Sequence, residues 1–349
     1  MPDTLKVAIV GIGGEARFYW PSFSKKDESE IVLVQDIDEE KVAQQGEKIG
    51  VPWTLGFEDV LASDADVVHI STPNHLHAEQ TIACLEAGKH VSCQKPMART
   101  ALECDSMIAA AERTGKRLGV FMGGRGVPLH NEIRDMIAAR VFGDVSSVAS
   151  RGAHRGGWLA KDRSAWRGSK EKVGGGVFIQ LAIHTINLTQ WMLGDTIERV
   201  AGFSKNLLCE RDIGGDDLTH AVVEYQSGRH GSFESGYAAE DGWLGVFGTC
   251  GSILETGGKI YFWSDTAWRG RVIEYDPSDG KQWWDRSDVA AGAGGWGAEL
   301  DQNSAFIRAV RDGTPLPVTA DEARHDVAVI EAVYRSAEIG RTVEVSEIG

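Results

Sequence analysis

Residues 90 to 98 read HVSCQKPMA, an apolar-leaning run that ends on Lys95 and is closed by Pro96. A chain seldom carries an ammonium group to the end of a buried strand without a partner or a task. On the residues alone two readings stand, a solvated lysine in a strand-to-helix loop and an amine kept for chemistry. A second group lies in GGGVFIQLAIHTINLTQWMLG (174 to 194), where Gln180, His184 and Asn187 recur at i, i+4 and i+7. That spacing puts three polar side chains on one face of a mostly apolar helix. They must either satisfy one another in an internal network or meet a ligand.

The third group is Gly11, Gly13 and Ala16 in VAIVGIGGEARFYW, a G-x-G-x-x-A spacing directly after an apolar run. The first glycine allows a tight turn, the second lets backbone approach a pyrophosphate, and the small third residue lets helix pack on strand. With Ile12, Gly14 and Glu15 they form a candidate pyrophosphate turn at a helix N-terminus. Asp36 closes the next apolar run, where a carboxylate about 20 residues on binds the adenosine ribose hydroxyls. Ile37 follows it, not an arginine that would hold a 2'-phosphate, so NAD is favoured over NADP; a phosphate reached by Lys25 or Lys26 is the alternative. In ISTPNHLHAEQ (70 to 80) Ser71, Thr72, Pro73 and Asn74 follow a strand and are expected to line the cofactor crevice. His75 suits a helix start, and His77 a cofactor or packing contact. Neither has a cysteine or carboxylate at ligand spacing, and no metal is expected.

These residues need elements to hold them. Apolar runs at 6–10, 31–36, 66–71, 90–93 and 118–121 alternate with helix-length segments, one opening on a T-x-x-E box at Thr100 and Glu103. Runs without polar alternation are buried on both faces, so the pattern predicts a doubly wound parallel sheet with right-handed crossovers over residues 1–125. After a helix-like PLHNEIRDMIAARVFGD the texture becomes closely spaced alternating strands, VSSVASRGA, LTHAVVEYQSGRHGSFESGY and GSILETGGKIYFW. This predicts a second α+β domain over 126–349 with an antiparallel or mixed sheet. Two helices close it, the last from a box at Thr319 and Glu322 to Gly340. The Gly/Ala-rich VAAGAGGWGAE (289 to 299) is the candidate mobile loop, a static turn being equally compatible.

A chain of 349 residues suits two domains. With 51 acidic against 36 basic side chains its net charge is -15, a field that repels a phosphate backbone. No nucleic-acid partner is expected, and with no basic n-region and no long apolar run, no membrane partner either. Five cysteines without C-x-x-C spacing fit a reducing, cytoplasmic setting.

The string GKHVSCQKPMA resembles the G-K-H-V-x-x-E-K-P signature of the glucose-fructose oxidoreductase and inositol dehydrogenase family, Gfo/Idh/MocA. TPNHLH, WRG (166 to 168), GGGVFIQLAIHTIN and AVYRSAEIGRTVEV follow that family's other landmarks in order. The resemblance implies a Rossmann domain, a C-terminal domain on a large open and mostly antiparallel sheet, and a homodimer or homotetramer. It implies hydride transfer between a nicotinamide cofactor and a secondary hydroxyl of a sugar or cyclitol. Lys95 and His184 match residues placed at the substrate carbon, with Lys95 as acid/base and His184 orienting the hydroxyl; the reverse assignment stays open. Gln180 and Asn187 would meet neighbouring hydroxyls, Trp166 and Arg167 the nicotinamide side of the cofactor, and Gln94 a ribose hydroxyl. On the residues themselves, His154, Arg155 and Arg163 lie in the approach to WRG and are candidates to contact substrate hydroxyls, and Trp158 or Trp296 is a candidate to pack on the C-H face of a sugar, with core packing or subunit contact as the alternative for the tryptophans. Burial beside a positive nicotinamide ring disfavours a charged lysine, so the Lys95 amine is expected to titrate below its ordinary range. Where the family pattern most often has Glu, Asp and Asp, this chain has Gln94, Gln180 and Asn187, which keeps size and deletes charge. A dinucleotide- and sugar-binding regulator and a redox-neutral lyase or epimerase remain as alternatives.

Overall fold

The computed structural model describes residues 4–13, 20–24, 27–156, 166–207, 214–237, 241–256, 259–264, 271–275 and 296–349. Contacts divide the chain into two units, Met1–Gly123 with Ala298–His325, and Gly124–Gly297 with Asp326–Gly349.

The first unit is built on six strands, β1 (Leu5–Val10), β2 (Ser29–Gln35), β3 (Trp53–Thr54), β4 (Val67–Ile70), β5 (His90–Gln94) and β6 (Leu118–Phe121). They lie in the order β3-β2-β1-β4-β5-β6. Every pairing is parallel. All four residues of β4 are buried, as a strand covered on both faces requires. The order reverses between β1 and β4, and in open sheets of this kind ligands bind beyond the strand ends at that switch. Local chemistry fixes the crossover helices. Asp38 caps the helix Glu39–Ile49 by accepting from Lys41 N, and Gly50 ends it at φ 82°. The helix Ala101–Thr114 starts where Thr100 Oγ1 accepts from Glu103 N at 3.2 Å. The Glu103 carboxylate accepts from Arg99 N at 3.0 Å, one residue earlier than a reciprocal box would have it.

The helix Trp296–Asp312 brings Phe306, Ile307 and Val310 into the same apolar cluster as Leu5, Val7, Ile9 and Val34. Gln302 Oε1 also accepts from Met122 N and Gly123 N at 3.1 and 2.7 Å. Residues 298–325 therefore pack with the N-terminal unit, whereas the sequence pattern assigned all of 126–349 to one domain. Of the expected mobile loop, 289–295 lies outside the described residues and 296–299 opens this helix.

The second unit holds β7 (Val145–Ala153), β8 (Ile197–Lys205), β9 (Leu218–Tyr225), β10 (His230–Gly236), β11 (Trp243–Gly248), β12 (Gly251–Thr256), β13 (Lys259–Ser264), β14 (Arg271–Tyr275) and β15 (Val343–Glu344). Their order is β14-β13-β12-β11-β7-β10-β9-β8-β15. Only the β7–β10 pair is parallel. β9 alternates, burying Thr219, Ala221, Val223 and Tyr225 while His220 and Val222 are exposed, so the sheet has one covered and one open face. The helix Val177–Leu193 lies on the covered face. There Ser150 Oγ donates to Thr185 Oγ1 at 2.8 Å and the Tyr225 hydroxyl to Thr189 Oγ1 at 3.0 Å. The helix Ala320–Ile339 opens on a complete capping box, Glu322 N to Thr319 Oγ1 at 3.2 Å and Thr319 N to Glu322 Oε2 at 2.9 Å. Gly340, at φ 69°, ends it. Among the described residues no helix is long and apolar enough to cross a membrane.

Candidate active site

The turn after β1 is shaped by two glycines in different ways. Gly11 has φ 81°, and a Cβ there would stand 2.8 Å from the main chain of Ser71 and 3.0 Å from Thr72 Cγ2, so the loops after β1 and β4 touch only because residue 11 has no side chain. At Gly13 a Cβ would meet nothing within 4 Å among the described residues. The first glycine is structural; the second leaves open backbone of the kind a pyrophosphate approaches. Asp36 ties this turn to the end of β2: Oδ2 accepts from Ile12 N at 2.9 Å and Oδ1 from Asp38 N at 3.1 Å. A carboxylate offers about four acceptor positions, so the two remaining can take ribose hydroxyls. Ile12 itself is buried, and Ile37, beside Asp36, is 90% exposed. Gly14, Glu15, Ala16, Lys25 and Lys26 lie outside the described residues.

Beyond β4, Ser71, Thr72 and Pro73 are partly exposed and lead into the helix Asn74–Glu86, in whose first turn Asn74 is buried. The Thr72 hydroxyl donates to Gln80 Oε1 at 2.6 Å. His77 is 1% exposed, and its ring nitrogens sit 2.8 Å from the Pro96 and Thr72 carbonyl oxygens. Both ring nitrogens are thus committed to protein acceptors. Lys95 follows β5 directly and is partly exposed, between the buried Gln94 and Pro96. Gln94 Oε1 accepts from Lys95 N at 3.2 Å. Its Nε2 is buried without a hydrogen-bond partner among the described residues, in a side chain of a residue 7% exposed. A buried amide donor without a protein acceptor at the sheet's carboxyl edge suits an oxygen-bearing ligand. The open backbone at Gly13, the placement of Asp36 and the Gln94 donor together fit a nicotinamide dinucleotide.

In the second unit Gln180 and His184 lie one turn apart and partly exposed on the helix Val177–Leu193. The helix start is fixed by two residues the sequence pattern did not single out. Asp216 O accepts from Val177 N at 2.9 Å and Asp216 Oδ2 from Phe178 N at 2.9 Å. The Tyr334 hydroxyl accepts from Gly176 N and Ile179 N, each at 3.2 Å, and donates to Asp216 Oδ1 at 2.8 Å. Thr219 Oγ1 adds a third donor to the carboxylate. The main-chain donors that a helix N-terminus leaves open are thus spent on protein. Burial pushes the Asp216 carboxyl above its ordinary range against these donors. Burial first, then the Asp216 charge, holds the Tyr334 hydroxyl well above its own. A Cβ at Gly176 would stand 2.1 Å from Asp216 O, which is why a glycine is needed there. Tyr334 could have been suspected from AVYRSAEIG, quoted above as a landmark; Asp216 carried no local signal.

Asn187 is 2% exposed and belongs to an internal network. Its Oδ1 accepts from Arg125 Nε at 3.0 Å and its Nδ2 donates to Asp326 Oδ2 at 2.6 Å, while Gln190 Nε2 donates to Asp326 Oδ1 at 2.8 Å. Each end of the amide thus holds one partner inside the unit. At the end of β7, His154 Nδ1 accepts from Gly156 N at 2.7 Å and its ring lies tilted against Tyr237, centroids 5.2 Å apart, with Arg155 exposed beside it. Trp166 and Arg167 form a short 3-10 turn in which the guanidinium lies 4.4 Å from the Trp166 ring centroid. Trp158 and Arg163 lie outside the described residues, as does the side chain of Trp296. Lys95 belongs to the first unit and His184 to the second. Among the described residues no cluster of three metal-ligating side chains is found.

A parallel sheet with a glycine turn and an acid at its switch point, followed by an open, mostly antiparallel sheet carrying an apolar helix with polar side chains on one face, is the architecture of a dinucleotide-dependent oxidoreductase. Residues 5–122 match the family described as "Oxidoreductase family, NAD-binding Rossmann fold", and residues 134–345 its companion, "Oxidoreductase family, C-terminal alpha/beta domain". The chain belongs to the Gfo/Idh/MocA oxidoreductase family. It is 31% identical over 230 residues to 1,5-anhydro-D-fructose reductase of Ensifer adhaerens, covering 64% of this chain and 68% of that one. It is 26% identical to scyllo-inositol 2-dehydrogenase (NADP(+)) of Bacillus subtilis, over 98% and 96% of the two chains. A solved levoglucosan dehydrogenase in complex with NADH and levoglucosan shares the fold at a TM-score of 0.85 and 22% identity, over 98% of this chain and 99% of that one.

Proposed function

We propose that the protein is an NAD-dependent dehydrogenase acting on a secondary hydroxyl of an uncharged sugar or cyclitol. The observation that carries this reading is the shared edge of the sheet: Lys95 leaves β5 on the same side as the Gly11–Gly13 turn and the Ser71–Asn74 loop, with the Gln94 amide donor beside it. Bound there, NAD supplies the hydride acceptor. The Lys95 amine takes the hydroxyl proton as the carbinol carbon loses its hydride, so that alcohol becomes carbonyl and the amine becomes ammonium. His184 orients that hydroxyl and Gln180 holds a neighbouring one, through hydrogen bonds that align the carbinol hydrogen. NAD over NADP is favoured because a 2'-phosphate would face the Asp36 carboxylate, while the exposed Ile37 offers an apolar surface to a neutral adenosine.

Steady NADH release from a panel of pyranoses and inositols, with NAD and NADP compared in parallel, tests this directly. A single trapped equivalent would point to internal recycling, and binding without release to a sensor. General acid-base catalysis contributes about 100- to 10,000-fold, so Lys95→Met should lose activity on that scale. A Lys95→Met enzyme with near-wild-type turnover rules out the assignment.

A further inference from the structure

Within the first unit a chain of close contacts leads from the glycine turn to Lys95. Gly11 abuts the main chain of Ser71 and the side chain of Thr72. The helix Asn74–Glu86 grips Thr72 twice, at its hydroxyl through Gln80 and at its carbonyl through His77 Nε2. From Nδ1 the same ring reaches the carbonyl of Pro96, the residue after Lys95. One buried imidazole therefore spans the loops that follow β4 and β5.

Carbonyl oxygens only accept, so a neutral ring can donate to one of the two and a protonated ring to both. Burial lowers the His77 pKa against the pull of these carbonyls, and a neighbouring imidazole, His75 of its own helix, opposes a charge as well. His69 of β4 also couples to it. A side chain set between two acceptors in this way stores a main-chain distance more than it fills a space.

We propose that His77 is a positioning residue, which sets the loop of Lys95 against the cofactor-facing loop of Thr72. For the role of Lys95 as reacting amine this rests on the function proposed above; for the two loops it rests on hydrogen bonds alone. The test compares wild type, His77→Gln, which keeps a side-chain donor, and His77→Leu, which has none. Three readouts apply to each: NADH affinity by fluorescence, the rate at which an amine-reactive reagent labels Lys95 without cofactor, read by mass spectrometry, and the melting temperature. Small misplacements at an active site cost up to about 100-fold, so His77→Leu should weaken NADH binding about tenfold or more and raise Lys95 labelling, with glutamine intermediate. If His77→Leu melts earlier while NADH affinity and Lys95 labelling stay within about twofold of wild type, the residue is merely structural and the proposal fails. If the leucine variant does not fold, His77→Gln decides, by moving both readouts or neither. A wild-type protein that binds NADH yet oxidises no sugar sinks the dehydrogenase reading without touching this comparison.

Discussion

Tyr334→Phe isolates the device that sets the helix bearing Gln180 and His184. The substitution keeps the ring and removes one oxygen, which accepts from Gly176 N and Ile179 N and donates to Asp216 Oδ1. Two buried main-chain donors lose their acceptor and a buried carboxylate loses one of its donors. Leaving a buried polar group unsatisfied costs about 1–3 kcal/mol. The two N–H bonds are long at 3.2 Å, so the lower end applies to each, and a total near 3 kcal/mol is expected. For a unit of this size that is a fall in melting temperature of about 6–12 °C. The pH dependence has a definite sign. Asp216 has a native pKa above its unfolded one, so its charged form is disfavoured by folding, and its penalty grows as pH rises from the unfolded pKa to the native one. Loss of the Tyr334 donor raises the native pKa further, so the gap between variant and wild type is widest at neutral pH and narrows in acid. Chemical denaturation of both proteins at neutral and mildly acidic pH measures it. A gap within about 0.5 kcal/mol of zero at both would refute the capping role.

The two glycines of the cofactor turn should separate stability from binding: Gly11→Ala, with φ 81° and backbone 2.8 Å away, destabilises by at least ~1–2 kcal/mol, whereas Gly13→Ala melts like wild type and loses NADH affinity. Equal affinity in Gly13→Ala and wild type would move the pyrophosphate elsewhere. Burial, with His77 nearby, brings the His69 pKa down to about 3 from an ordinary 6.5. Between those values the unfolded chain binds the extra proton, so stability drops as pH is lowered, by up to about 1.4 kcal/mol per unit; His69→Gln should flatten this limb, and parallel acid limbs would contradict it.

What could be read from the sequence followed from how far apart the interacting residues stand. The runs at β1, β2, β4, β5 and β6 are legible because a strand buried on both faces needs apolar side chains in succession, and the Thr319–Glu322 box because its partners are three residues apart. β3 has only two residues, Trp53 and Thr54, and leaves no period to detect. Helix periodicity marks Phe306, Ile307 and Val310 as a buried stripe without saying which core receives it, and the contacts of 298–325 with the first unit leave no local trace. The Asp216–Tyr334 cap joins positions 118 residues apart, beyond the reach of any local pattern.

The fold treats the amides at 94 and 187 differently. At 187 Asp326, 139 residues on, brings a buried carboxylate to the amide, so Asn187 mediates between that acid and Arg125. Nothing of that kind compensates at 94. There the amide oxygen is spent on Lys95 N and the nitrogen faces no protein acceptor among the described residues. A carboxylate in that place could only accept, whereas Gln94 must donate, and a buried donor selects for an oxygen lone pair. Beside Lys95 a glutamine thus presents a donor where an acid would present only acceptors and a negative charge. Under the proposed function a ribose oxygen of the cofactor would accept from residue 94, and the substrate alcohol would give its proton to residue 95.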